Sequence, residues 1–181
     1  MVTTAMAANT QGSEPVARAI WSLLEHVPDP EIPVLSVVDL GIVRDVAFDE
    51  ARAGGEWVVT ITPTYSGCPA TAVIATSIID VLHAHGLANV RLATQLSPPW
   101  TTDWLTAEGK RKLAEYGIAP PAHQAIPVGA IGRTVRAAPD IGCPRCGSKR
   151  TERVSEFGST PCKAMYRCRD CLEPFDYFKP H

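Results

Sequence analysis

Residues 57–96, WVVTITPTYSGCPATAVIATSIIDVLHAHGLANVRLATQL, decide the fold of the first part of this chain. Residues 57–62 are rich in β-branched side chains and predict a strand, and residues 89–96 alternate apolar and polar positions in the manner of another strand. Between them, residues 69–85 place apolar side chains at helical spacing, and Gly86 follows as a helix stop. A strand, a helix and a strand in this order predict a right-handed crossover.

The residues before this stretch add one helix and one strand. Ser13 can cap a helix whose apolar side chains recur at helical spacing as far as Val27, and the following Pro28-Asp29-Pro30 triplet ends it. Residues 42–48 predict a strand that a glycine-containing loop joins to the strand at residues 57–62 as a hairpin. We therefore expect an α+β fold with a small mixed sheet and its helices packed on one face.

Changes in composition along the chain predict its domain boundaries. Residues 1–12 are small and polar, and we expect a disordered leader there. The first domain spans residues 13–117 and ends in a short charged helix that Gly117 closes. Residues 118–142, rich in Pro, Ala and Gly, predict a linker. Residues 143–181 hold five of the six cysteines and predict a short β ribbon.

The overall charge of the chain differs from that of the strongly basic proteins that bind nucleic acid. Lys and Arg total 17 against 19 for Asp and Glu, a net charge of -2. From Cys143 onward there are eight basic and five acidic residues, net +3, so the preceding residues carry -5. This basic tail could dock on an acidic partner.

The apolar patterning also limits where the protein works. The start of the chain lacks a secretory signal, and no apolar run reaches the roughly 18 residues of a membrane span. We therefore expect a cytoplasmic protein without a membrane partner. In that reducing compartment the six cysteines predict metal ligands or reactive thiols rather than disulfides.

Four cysteines of the tail form two CxxC knuckles. Each knuckle can turn two thiolates toward one ion, and Gly147 supplies the conformational freedom that such a turn needs. The predicted ligands of a structural zinc ion are Cys143, Cys146, Cys168 and Cys171. A rubredoxin-like iron or an iron-sulfur cluster uses the same ligand type and stays open at this point.

Cys162 is a fifth sulfur in the tail, where four suffice for a metal. Its neighbour Lys163 and nearby Arg167 could favour a thiolate, which makes Cys162 a candidate auxiliary thiol. The alternative is a small apolar residue inside the ribbon hairpin.

Cys68 stands alone in the first domain, between the predicted strand and the predicted helix. The helix start favours a thiolate there, and a thiolate suits a soft metal or a nucleophilic attack. His83 and His85 lie several turns along the same helix, too far to act as a base, whereas His26 and His123 stay open. The alternative is a cysteine that is simply buried.

Three carboxylates, Asp29, Glu31 and Asp39, cluster in the loop after the first helix. Beside a thiolate they could orient a metal or a basic residue of a partner. The alternative is a solvated loop in which Asp29 and Asp39 make turn hydrogen bonds.

Four motifs together carry a family resemblance. They are Asp29-Pro30-Glu31-Ile32-Pro33, Asp39-Leu40-Gly41-Ile42-Val43, Tyr65-Ser66-Gly67-Cys68-Pro69 and Ser97-Pro98-Pro99-Trp100. Over about residues 15–105 the chain resembles the metal-sulfur cluster assembly domain of iron-sulfur targeting proteins. The resemblance implies that Cys68 is the reactive cysteine of the family and that Asp29, Glu31 and Asp39 occupy its acidic motif positions.

With the tail motifs CPRCGS, FGSTPCKA, RCRDC and EPF added, the whole chain resembles the D subunits of bacterial phenylacetyl-CoA epoxidase systems. This resemblance implies an accessory role in aerobic phenylacetate breakdown rather than catalysis. The implied partners are the di-iron oxygenase subunit and the reductase subunit with its iron-sulfur cluster. A transient iron or iron-sulfur cluster is the implied cargo.

Three functions compete at this point. The first is a maturation factor that receives or delivers iron or a cluster through Cys68. The second is a non-catalytic adaptor that docks through its zinc ribbon, and the third is a thiol-dependent enzyme. A cluster normally needs four ligands, so the first function requires more of them from a client, a small molecule or a homodimer.

Overall fold

The computed structural model describes residues 13–52, 54–65, 67–122 and 141–180. The chain divides into two compact units, residues 1–100 and residues 101–181. This division falls earlier than the expected domain end at residue 117, because the helix that follows Trp100 belongs to the second unit. The expected leader, and residues 123–140 of the expected linker, lie outside the described residues.

The first unit contains the predicted helices and strands in the predicted order. They are α1 (Ser13–Leu24), β1 (Val43–Asp49), β2 (Glu56–Ile61), α2 (Ala70–Ala84) and β3 (Val90–Thr94). Strand β1 pairs with β2 in antiparallel orientation, and β2 pairs with β3 in parallel orientation, so the sheet order is β1-β2-β3. Helix α2 is therefore the crossover between two parallel strands.

Both helices of the first unit pack on one face of its sheet. Helix α1 contacts α2 and β1, and α2 contacts β3. Along β2, Trp57, Val59 and Ile61 are buried, whereas the residues between them are only half-buried. The helices bury Ile20, Leu24, Ile74, Ile78 and Leu82. Each such side chain contributes about 1.5 to 3 kcal/mol relative to an exposed one, so apolar packing holds this unit together.

The second unit combines a short helix with the cysteine-rich ribbon. After a 3-10 turn at Thr102–Trp104, it contains α3 (Ala107–Tyr116), β4 (Ile118–Ala119), β5 (Thr151–Ser155), β6 (Lys163–Cys168) and β7 (Pro174–Phe178). The hydroxyl of Thr106 caps α3 by accepting from the backbone N–H of Gly109 at 2.9 Å. Gly117 ends the helix at a φ of 93°, as the sequence predicted.

Strands β4 and β7 were not predicted from the sequence. Strand β4 lies at the start of the expected linker and pairs in parallel with β7, which gives the sheet order β4-β7-β6-β5. A strand of two residues is too short to show a period of two, so only the pairing reveals it. The ribbon sheet buries a core of Ala119, Ile141, Cys143, Ala164, Tyr166, Cys168, Phe175 and Tyr177.

Within the described residues, no helix is both long enough and apolar enough to cross a bilayer.

Candidate metal sites

The four knuckle cysteines converge on one point in the second unit. All four Sγ atoms lie within 4.8 Å of one another. Cys143 Sγ is 3.7 Å from Cys171 Sγ, and Cys146 Sγ is 3.6 Å from Cys168 Sγ. A tetrahedral zinc ion with Zn–S bonds of about 2.3 Å requires sulfur separations of about 3.8 Å. These two separations match the geometry of a tetrahedral zinc site.

The two knuckles share one backbone geometry. In each, the N–H of the first cysteine donates to the carbonyl five residues further on. Cys143 N donates to Ser148 O at 2.8 Å, and Cys168 N donates to Glu173 O at 2.9 Å. This repeated turn aims both cysteines of each pair at the same ion.

The residue after the second cysteine differs between the knuckles. Its φ is positive in both, 74° at Gly147 and 64° at Leu172. Glycine adopts this conformation freely, whereas leucine pays about 1 to 2 kcal/mol for it. The side chain of Leu172 is 59% exposed, so burial does little to offset that cost. Sequence reasoning missed this residue because the conformation shows only in the structure.

Ion pairs join the two knuckles to each other and the second knuckle to β5 and the residue before it. They are Arg145–Glu173 at 3.1 Å, Arg169–Glu152 at 2.7 Å and Arg150–Asp170. Their side chains are largely exposed, and such pairs contribute about 0 to 1 kcal/mol each. They orient the knuckles more than they stabilise them.

The surroundings of Cys168 and Cys146 shift the pKa values of these two thiols in opposite directions. A backbone hydrogen bond from Cys171 lowers the pKa of Cys168 to about 7. A backbone hydrogen bond from Ser148 also favours the Cys146 thiolate, but hydrogen bonds shared with the other three sulfurs, together with burial, raise the pKa of Cys146 to about 12. Several adjacent thiolates repel one another unless a cation neutralises them. The donor set therefore suits a bound zinc ion, which would displace the shared protons.

Cys68 lies half-buried in the loop between β2 and α2. Its backbone N–H donates to Tyr65 O at 3.1 Å, and its carbonyl accepts from Thr71 N at 3.2 Å. Helix α2 begins at Ala70, after Pro69, and no side chain caps its first turn. Cys68 thus stands at the predicted junction of strand and helix, just before the uncapped start of α2.

The carboxylates of Asp29 and Asp39 are buried and serve the backbone of their own loop. Asp29 Oδ1 accepts from the N–H groups of Glu31 at 2.9 Å and Ile32 at 2.7 Å. Asp39 Oδ2 accepts from Ser36 N, and Ser36 Oγ accepts from Asp39 N, both at 3.0 Å. Turn hydrogen bonds of this kind were one of the two alternatives that the sequence allowed for these residues. The side chains that make them are buried, whereas that alternative placed them in a solvated loop.

The structure does not assemble Cys68 and these acids into a metal site of their own. Among the described residues, the four tail cysteines are the one group of three or more His, Cys, Asp or Glu side chains close enough to hold an ion. A metal on Cys68 would therefore need ligands from another molecule.

One long-range contact joins two of the sequence motifs. The buried indole of Trp100 donates from Nε1 to the carbonyl of Leu40 at 2.9 Å. This hydrogen bond ties the Ser97-Pro98-Pro99-Trp100 segment to the loop that contains Asp39. A buried tryptophan normally finds a partner for its N–H, but the sequence does not reveal which one.

Cys162 lies apart from the four-cysteine group and is buried. Its Sγ is 3.0 Å from Thr160 Oγ1, and its carbonyl accepts from Lys179 N at 2.9 Å. The neighbouring Lys163 is also buried and places its Nζ 3.5 Å from Asp176 Oδ2. The lysine that we expected to assist the thiol therefore pairs with a carboxylate.

His26, which the sequence left open as a base, and His85 each bond to a carbonyl four residues earlier. His26 Nδ1 is 2.8 Å from Ser22 O, and His85 Nδ1 is 2.8 Å from Val81 O. His123 lies outside the described residues.

Two family models match separate parts of the chain. Residues 17–91 match the model described as "Iron-sulfur cluster assembly protein". Residues 129–179 match the "PaaD zinc beta ribbon domain". The second match agrees with the four-cysteine geometry, and the tail is a zinc ribbon.

One curated relative resembles nearly the whole chain. It is an Escherichia coli (strain K12) protein, named as the putative D subunit of 1,2-phenylacetyl-CoA epoxidase. The two are 48% identical over 169 residues, which cover 91% of this chain and 93% of that protein.

Solved structures resemble a little over half of this chain. A domain of unknown function, DUF59, from Bacillus anthracis has a TM-score of 0.52 and 29% identity over 58% of this chain and 97% of its own. A conserved hypothetical protein from Thermotoga maritima has a TM-score of 0.44 and 28% identity over 53% of this chain and 91% of its own. The comparison with the first confirms the predicted α+β fold.

Proposed function

We propose that this chain, which belongs to the family of 1,2-phenylacetyl-CoA epoxidase D subunits, is an accessory protein that assists assembly of an iron or iron-sulfur centre in such an epoxidase. The observation that carries the proposal is the place of Cys68. Its thiol is half-buried at a helix start, within the residues that match the iron-sulfur cluster assembly model. A thiolate in that setting can take a soft metal.

The cargo is held transiently in this proposal. Among the described residues, Cys68 has too few ligand side chains around it to complete the coordination of an ion or a cluster. The other ligands then come from the client or from a second copy of the chain. An incomplete site releases its cargo more readily than a closed one, which favours transfer over storage.

The proposed clients are the oxygenase and reductase subunits of the epoxidase, and the proposed compartment is the cytoplasm. Thiols remain reduced there and so stay available to a metal. The zinc ribbon has a separate, structural task in this proposal, because its four sulfurs already satisfy one ion.

A strain that carries Cys68→Ala tests the proposal. We expect oxygenase and reductase to accumulate in normal amounts but to contain less iron or acid-labile sulfide, since the variant removes the soft ligand and leaves the fold nearly intact. Metal and sulfide analysis of both purified subunits gives the result. The matched control is Cys162→Ala, which removes another cysteine outside the zinc site. Normal metal loading of both subunits in the Cys68→Ala strain would exclude transfer through Cys68.

A second function, that of an adaptor, is favoured by the completeness of the ribbon. Its four-cysteine site and its own buried core need no further residue from the first unit. If the chain is an adaptor only, Cys68→Ala leaves the metal content of the clients unchanged. Replacing Cys143 and Cys146 by Ser would then abolish association with the epoxidase.

A further inference from the structure

We infer that two hydrogen-bonded side-chain pairs, Arg145–Glu173 and Ser148–Asp170, hold the two cysteine knuckles together and slow the release of zinc from the ribbon. These four side chains are then positioning residues, because they act on the ion through the cysteines beside them. Zinc retention by the ribbon does not depend on the proposed function of Cys68.

The two pairs occupy equivalent positions in the repeated knuckle. In each knuckle, one partner stands immediately before the second cysteine, and the other stands two residues after it. These residues are Arg145 and Ser148 in the first knuckle, and Asp170 and Glu173 in the second. Arg145 Nη1 donates to Glu173 Oε1 at 3.1 Å, and Ser148 Oγ donates to Asp170 Oδ2. Each knuckle supplies one partner to each pair, so both bonds run from one knuckle to the other.

The Ser148–Asp170 pair is the more extensive of the two. Ser148 Oγ also accepts from Arg150 N at 3.0 Å, and the guanidinium of Arg150 donates to Asp170 Oδ1. The backbone N–H of Asp170 donates to Cys168 Sγ at 3.4 Å. Asp170 therefore contacts a ligand sulfur of its own knuckle and two donors that follow the first knuckle's second cysteine. Its carboxylate fixes the position of one knuckle relative to the other.

Both pairs lie next to the sulfurs that solvent can reach. Cys146 and Cys171 are exposed, whereas the first cysteine of each knuckle is buried. Arg145 immediately precedes Cys146, and Asp170 immediately precedes Cys171. A chelator displaces an exposed sulfur most easily, and displacement requires that sulfur to move away from the ion. A bond from the neighbouring residue to the other knuckle opposes this movement.

The exposure of these side chains predicts an effect on zinc release rather than on unfolding. The exposed fractions are 70% for Arg145 and 44% for Glu173, and 36% for Asp170. Exposed pairs contribute little to the free energy of unfolding, because water screens them. Groups that fix the orientation of metal ligands nevertheless change metal affinity about 10- to 100-fold.

The test measures zinc release from the full-length, zinc-loaded chain into an excess of a coloured chelator. We expect Asp170→Ala and Ser148→Ala each to speed release about tenfold. The double variant should release zinc no more than about twofold faster than the faster single variant, because both changes remove the same bond. Serine carries no charge, so altered charge near the thiolates cannot explain the effect of Ser148→Ala.

Two further variants serve as controls. Ser148→Thr keeps the hydroxyl and should release zinc within about twofold of the unaltered chain. Glu156→Ala removes a carboxylate that pairs with Arg153 rather than with a knuckle residue, and it should also stay within about twofold. Hydrogen-exchange protection of β6 and β7 should not change in any zinc-loaded variant, since the fold of the ribbon is kept.

Release from Ser148→Ala within about twofold of the unaltered chain would overturn the inference. Equally fast release from Ser148→Thr and Ser148→Ala would do the same, because the hydroxyl would then have no part in holding the knuckles. Fully multiplicative effects in the double variant would show that Ser148 and Asp170 act separately. Lower protection of β6 and β7 would also overturn the inference, since general loosening of the ribbon would then explain the faster release.

Discussion

The two units of the chain use cysteine in opposite ways. In the second unit, four sulfurs lie within 4.8 Å of one another and close around one ion. In the first unit, Cys68 stands half-buried at a helix start without such a group among the described residues. A closed site retains its metal, whereas a solitary thiol can only share one. Under the proposed function, the difference separates a structural metal from a transferable one within a single chain.

The topology of each unit explains this difference. Strand β6 runs into the second knuckle, and the antiparallel pairing of β5 with β6 brings the first knuckle back beside it. In the first unit, the antiparallel pairing of β1 with β2 also brings a segment beside the end of β2, where Thr62 N donates to Ile42 O at 2.8 Å, but that segment contains no cysteine. The hairpin of the second unit thus joins two cysteine pairs, whereas the hairpin of the first unit leaves Cys68 without a second sulfur.

The largest expected effect comes from opening the closed site. Replacing Cys143 and Cys146 together by Ser should remove zinc and destabilise the second unit strongly, since structural zinc contributes on the order of 10 kcal/mol. Zinc analysis and hydrogen exchange resolved by unit would show it. Cys68→Ala is the control and should retain zinc and protection in both units. A double variant that still binds one zinc per chain would contradict the assigned ligands.

A large but different effect is expected in the first unit, which depends on apolar packing. Ile78→Ala on α2 removes a fully buried side chain, and it should cost about 2 to 5 kcal/mol in urea unfolding. Val73→Ala changes an exposed position of the same helix and should stay within about 0.5 kcal/mol. Zinc content should not change in either variant. Equal losses at the two positions would show that this face of α2 is not the buried one.

A moderate loss of stability is expected from replacing Asp39, and none from replacing Glu31. Asp39→Ala removes the hydrogen bond to Ser36 N, and loss of such a bond costs about 0.5 to 2 kcal/mol. Glu31→Gln should leave stability within about 0.5 kcal/mol. Because the fold is kept, Glu31→Gln tests the predicted transfer role of Glu31. We expect the iron content of the oxygenase and reductase subunits to fall. Unchanged client iron would leave the acidic loop with a purely structural task.

The smallest expected effect is a loss of stability at high pH, which should affect the second unit more than the first. Burial raises the pKa of Tyr166 and of Tyr177, both in the second unit. In the unfolded chain a tyrosine ionises near about pH 10. The stability from these neutral phenols is thus complete below about pH 10 and is lost as the pH rises through the higher folded values.

Hydrogen exchange at increasing pH, corrected for its intrinsic rate, should therefore show the second unit losing protection before the first. Tyr166→Phe removes one of the two phenols and should make that loss shallower. An equal loss in both units, unchanged by Tyr166→Phe, would mean that these tyrosines do not cause it.

The amino-acid sequence by itself determined the order of the helices and strands of the first unit and the zinc ligands of the second. Helical spacing, β-branched runs and the glycines at positions 86 and 117 act over a few residues, so they can be recognised without the fold. The paired CxxC spacing likewise predicted four ligands that do meet. Cys68 at a strand-to-helix junction followed from the same local signals.

Only the tertiary structure decided which distant segments meet. It paired β4 with β7, placed the indole of Trp100 on Leu40 O, and turned the carboxylates of Asp29 and Asp39 into their own loop. It also revealed Leu172 at positive φ, where the local sequence favours no such conformation. These features depend on surfaces brought together by folding, and residue propensities carry no information about partners far along the chain.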